Sequence, residues 1–150
     1  MNSYELEIVD ALSRIGLTTA VVLEPDSSAL FSLLSRNFRS LGSKIDWERV
    51  PGSVKTQCPE GGVEETFFLQ SYQSAISKFK LSGSVAYIGD SNTDFVIRSN
   101  CETMNLVLPI VFNVPQHHYL VHEQGIWCMS FTMEGEFGFG FSETSPNARS

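Results

Sequence analysis

The sequence predicts an α+β fold: a largely antiparallel sheet ending in a C-terminal β-meander, with helices packed mainly on one face. Three observations carry that expectation. Strand-like runs cluster between residues 85 and 141 and are joined by tight turn signals. Apolar stripes at helical spacing dominate the first half. Phe137, Phe139 and Phe141 alternate with Gly138 and Gly140, which places three rings on one face of a strand and leaves its other face bare.

The elements follow in order. Asn2 caps a first helix, with Glu5 three residues on as its capping-box partner, and the stripe runs over residues 4–15 to a stop at Gly16. Leu17 to Leu23 reads as a short, buried strand. Asp26 or Ser27 caps a second helix whose stripe is Leu30, Leu33, Leu34, Phe38 and Leu41, ended by Gly42. Residues 43–63 carry little pattern, with Ile45–Trp47 and Val50-Pro51 as strand fragments. Glu64 and Glu65 suit the positive end of a third helix, along which Phe68, Tyr72, Ile76 and Phe79 follow at helical spacing. Val85–Ile88 and Phe95–Ile97 flank turn-forming residues and form a hairpin. Ser99 or Asn100 caps a fourth helix from Cys101 to about Phe112, which Pro109 should kink or shorten. Tyr119–His122, Ile126–Thr132 and Phe137–Phe141 make the meander, with turns at Gln124-Gly125 and Glu134-Gly135. The segment 142–150 is polar and is expected to fray.

The chain of 150 residues fits one domain, 1–150, with a sizeable core. A formal net charge of −7 argues against direct binding to nucleic acid or an anionic membrane and suits a basic partner. No apolar run is long enough to span a bilayer, and the acidic N-terminus lacks the basic region of a secretory signal. Cys58, Cys101 and Cys128 form neither a metal pair nor a disulfide framework and read as reduced thiols of a cytoplasmic protein.

The loop Gly89-Asp90-Ser91-Asn92-Thr93-Asp94 is the most enzyme-like stretch. It is similar to the Mg²⁺-holding loop of the haloacid dehalogenase superfamily, but Glu24 and Asp26 stand where that family needs two aspartates, and the repeated βα units are missing. It is similar also to the serine loop of GDS hydrolases, but no Asp-x-x-His partner follows, and a serine without a placed base is not activated. Asp90 and Asp94 therefore read as turn residues. His118 and His122 share a strand face but lie about 13 Å apart at ~3.3 Å per residue, too far for one ion. No phosphate-cradling glycine loop is present. No catalytic, cofactor-binding or metal-ligating residue is predicted.

Acidic residues remain. Asp90 and Asp94 sit at the first hairpin's tip, and Glu123, Glu134 and Glu136 at the meander turns. Each alone is a solvated surface charge. As a set on rigid turns they form an acidic patch for a basic partner, with fast, steered association.

The run His117-His118-Tyr119-Leu120-Val121, followed by Trp127-Cys128-Met129-Ser130-Phe131-Thr132-Met133-Glu134-Gly135-Glu136-Phe137-Gly138-Phe139, resembles the ending of small bacterial immunity proteins. These neutralise the toxin domains of contact-dependent growth inhibition and related polymorphic toxin systems. The likeness covers about a third of the chain. It implies a cytoplasmic, non-enzymatic inhibitor of one cognate toxin domain, a nuclease with a basic cleft that the acidic inhibitor covers. Asp90, Asp94, Glu123, Glu134 and Glu136 are then the contacts. Two alternatives stand beside it: a small Mg²⁺-dependent phosphatase-like hydrolase using residues 89–94, and a non-catalytic adaptor subunit.

Overall fold

A computed structural model describes residues 1–42 and 44–143. Helix α1 (Ser3–Arg14) starts as its sequence dictates, since the Asn2 side chain accepts the Glu5 amide while the Glu5 carboxylate accepts the Asn2 amide. The following strand is shorter than Leu17–Leu23. Leu17 and Ala20 belong to turns closed by Leu17 N–H to Leu12 C=O and Ala20 N–H to Leu17 C=O, so β1 is only Val22–Glu24. Leu17 and Val21 reach the core from outside any strand.

Asp26, not Ser27, supplies the side-chain cap of α2 (Ser28–Asn37), its Oδ1 accepting the Ser28 amide at 2.9 Å. The helix stops four residues before Leu41. Phe38 is already extended, and Ser40–Leu41 (β2) pairs with Lys44–Ile45 (β3) in a separate ribbon. Gly42, at φ 64°, serves this turn rather than a helix stop; the positive φ that glycine tolerates fits either use. Leu41 is accordingly 74% exposed instead of lying in the helical stripe. Of the two strand fragments expected here only Ile45 lies in a strand: Trp47 begins a 3-10 turn (Trp47–Arg49), Val50 caps its end, and the strand of this region is β4 (Val54–Gln57), farther along the chain.

Helix α3 (Glu64–Lys78), strands β5 (Ser84–Gly89) and β6 (Val96–Asn100), helix α4 (Cys101–Val111) and the meander strands β7 (His118–His122), β8 (Trp127–Phe131) and β9 (Glu136–Phe141) lie close to their expected places. Asn100 caps α4, accepting the Thr103 amide at 2.7 Å, and the helix continues two residues past Pro109. Ser142 is buried and donates its amide to Ile126 C=O at 2.8 Å, so order extends into the segment expected to fray. Thr144–Ser150 of that segment lie outside the described residues.

Seven strands form one antiparallel sheet in the order β1-β6-β5-β7-β8-β9-β4. Helices α1, α3 and α4 cover one face through Ile8, Leu12, Phe68, Tyr72, Met104 and Leu108, against Tyr87, Leu120, Met129 and the three alternating phenylalanines. The other face is not bare. Leu30 and Leu34 of α2, with Phe38, Trp47 and Val50, pack on Ala86, Ile88, Val96, Tyr119, Val121 and Cys128. Burial on both faces explains why Val85–Ile88 is a continuous apolar run although its sheet is antiparallel. The Trp47 indole lies over Gly138 and Gly140, where a Cβ would overlap its ring, and its Nε1–H donates to Ser130 Oγ at 2.8 Å. The glycines thus make a groove for Trp47.

Among the described residues no helix is long and apolar enough to cross a membrane. Cys101 and Cys128 are buried, Cys58 is partly exposed, and all three are free thiols.

Candidate partner-binding face

The loop joining β5 to β6 is closed from within. The amides of Ser91, Asn92 and Thr93 all donate to Gln116 Oε1, at 3.3, 2.8 and 3.2 Å. Gln116 Nε2 in turn donates to Tyr87 Oη at 3.0 Å and Thr93 Oγ1 at 2.9 Å. Gln116 is 1% exposed and occupies the space a side chain on residue 89 would need, which gives Gly89 a packing reason. Glu5, the capping residue of α1, uses its second oxygen to accept the amides of Asp94 and Phe95 at 2.9 and 3.2 Å. Asn2 Nδ2 donates to Asn92 C=O, and Asn92 Nδ2 to Pro115 C=O. A turn of successive amides is the geometry that cradles an anion; here Gln116 and Glu5 already occupy it.

The histidines have other partners than Ser91. His118 packs beside both Phe68 and Phe112, with ring centroids 5.8 and 6.0 Å away, and those two rings also meet each other at 6.3 Å. Its Nδ1 lies 2.6 Å from Tyr87 Oη. Because that hydroxyl accepts from Gln116, it donates to Nδ1, so the imidazole proton sits on Nε2. Burial brings the His118 pKa down to about 4, with His117 adding to the shift, and the ring is neutral at pH 7. His117 Nδ1 accepts the Met133 amide, and His122 Nδ1 the Gln124 amide.

Strand order decides which carboxylates meet. Gly89 is in register with His118, His118 with Phe131, and Phe131 with Phe137. The β5–β6 loop and the β8–β9 turn therefore share one end of the sheet, and Asp90, Asp94, Glu134 and Glu136 lie there together. Glu123 does not join them. It follows His122, which pairs with Val85, and so lies at the opposite end.

The four carboxylates are not equivalent. Asp90 Oδ1 accepts the His117 amide at 3.0 Å. Glu134 meets Lys44 Nζ at 2.7 Å, and that hydrogen bond holds its carboxyl below the usual range. Glu64, at the start of α3, adds a carboxylate oxygen against Gly135. The sequence places Glu64 at a helix start without bringing it to this turn. Met133, 58% exposed, gives the turn an apolar tip.

Beside this end, α2, the β2–β3 ribbon and β7 enclose a cleft of about 250 Å³ whose lining includes Phe31, Phe38, Lys44, Ile45, Asp90 and Tyr119. Phe31 meets Tyr119 edge-on, with centroids 5.8 Å apart and planes at 81°. Periodicity assigns Phe38 and Tyr119 to a core without indicating a cleft, since the opening depends on the ribbon that replaces the end of α2. No family model matches the chain, and neither a curated protein nor a solved structure matches it.

Proposed function

We propose that the protein is an immunity-type inhibitor that binds and blocks a cognate toxin domain in the cytoplasm of the cell it protects. The observation that carries this reading is the gathering of Asp90, Asp94, Glu134 and Glu136 at one end of a rigid sheet, around the exposed Met133. Carboxylates held on turns complement a basic cleft and steer encounter, while an apolar tip among them is suited to be desolvated on docking. A nuclease is the toxin class such a face suits, because a cleft that holds phosphates is basic. The chain's net charge of −7 acts in the same direction over longer range.

The test is co-purification of the tagged protein from its host at low and moderate salt, with mass spectrometry of what is retained. One stoichiometric basic polypeptide, held less tightly as salt rises, is the expected result. Reversing Asp90, Asp94, Glu134 and Glu136 together slows association by about tenfold or more, whereas Glu123→Lys, at the far end, leaves it within about twofold. Recovery of no partner from cells expressing the candidate toxin, with Mg²⁺-dependent phosphatase activity that Asp90→Asn abolishes, overturns the proposal.

A further inference from the structure

We infer that the cleft between α2 and the β2–β3 ribbon receives an arginine side chain of the bound protein, with Asp90 answering its charge. This rests on the reading of the protein as an inhibitor of a basic partner and names the anchor of that contact.

The walls and the charge decide the occupant. Half-buried Phe31 and the buried rings of Phe38 and Tyr119 line the cleft, and Leu34 and Ile45 complete its apolar surface. Aromatic faces attract cations, and a planar, weakly hydrated guanidinium stacks on them better than a compact ammonium. The cleft holds two charged residues of opposite sign, Lys44 and Asp90, and their situations differ. The Lys44 ammonium is already met by Glu134 at 2.7 Å. Asp90 has no cation within ion-pair distance among the described residues, and its Oδ1 accepts the His117 amide. Its second oxygen is the acceptor a guanidinium would take. An anionic ligand would meet that carboxylate with no unneutralised cation of the described lining to offset it.

Size and place agree. A volume of about 250 Å³ is below the roughly 300–1,000 Å³ typical of pockets for drug-sized ligands and suits one long side chain. Asp90 belongs both to the cleft and to the acidic end, so a partner lying across that end would deliver a side chain into the cleft. Arginine is among the residues that most often carry interface energy when so enclosed.

The probe is the peptide acetyl-Gly-Arg-Gly-amide, titrated into the full chain and followed by NMR at the methyl groups of Leu34 and Ile45 and the ring of Tyr119. Saturable shifts at those groups are expected, about tenfold weaker for the norleucine analogue and for Asp90→Asn. Ser35→Trp, an exposed position on the cleft's lining, abolishes them without touching the core. Absence of saturable shifts, or equal binding of the arginine and norleucine peptides, overturns the assignment. Capture of a basic partner at unchanged affinity by Ser35→Trp overturns the anchor and leaves the inhibitor reading standing. Peptide binding with no partner captured by the unaltered protein supports arginine recognition by the cleft and removes the inhibitor reading.

Discussion

The two faces of the sheet reach the same burial by different means. The face under α1, α3 and α4 is filled by large rings, with Phe68 stacked on Phe131 at 4.7 Å and Phe79 on Phe139 at 4.5 Å. The face under α2 is filled by aliphatic side chains together with the rings of Phe38, Trp47 and Tyr119, and the sheet makes room for the Trp47 indole by having no side chains at Gly138 and Gly140. One strand, β9, serves both: rings on the first face, a groove on the second. Alternation therefore reports which side of a strand is bulky; it does not report which side is covered.

If the faces are equally integral, truncating each should cost alike. Trp47→Ala and Phe139→Ala are each expected to destabilise by about 3–5 kcal/mol in urea unfolding. A loss for Trp47→Ala under about 1 kcal/mol would reduce the second face to an appendage. Acid should separate the faces, because the buried histidine lies on the first. The His118 pKa of about 4 is below its ordinary 6.5, so the unfolded chain binds a proton that the folded chain refuses. Stability is full above about pH 6.5 and falls towards pH 4, by about 3 kcal/mol. His118→Phe, which keeps the stack with Phe68 and Phe112, should flatten that part of the pH profile; an unchanged slope would assign acid sensitivity elsewhere. Smallest of the three is Gly138→Ala, which overlaps the Trp47 ring and is expected to cost about 1–3 kcal/mol. The same substitution in a Trp47→Ala background should cost clearly less, which a double-mutant cycle measures.

Much of the first face is legible because its signals are local. The Asn2–Glu5 capping box, the stripe of Phe68 and Tyr72, and the glycine turns of the meander each fall within a few residues of sequence. The second face depends on distant partners. Val54-Lys55-Thr56-Gln57 contains one apolar residue and is a strand because the edge of β9 is open to it, with Val54 opposite Phe139 and Gln57 opposite Glu136. Leu41 fits a helical stripe and yet lies in a ribbon, since Phe38 turns extended and Gly42 closes the turn. The candidate site divides likewise. Asp90, Asp94, Glu134 and Glu136 are recognisable as turn residues, but their common end follows from β7 pairing with β5, and Glu123 is excluded by the same pairing. Gln116, which holds three loop amides, carries no signature, because a glutamine before a strand is unremarkable until its neighbours in space are known.

The pairing of β4 with β9 also bears on how the chain is made. During synthesis Val54 emerges long before Phe139, and until β9 arrives Trp47 has no glycine groove to enter and no Ser130 hydroxyl to bond. A chain growing from its N-terminus thus carries an unsheltered indole and an unpaired strand until β9 has left the ribosome. The strands adjacent in sequence, β5 with β6 and β7 with β8, have their partners earlier, so the β4–β9 edge is the long-range pairing that must wait.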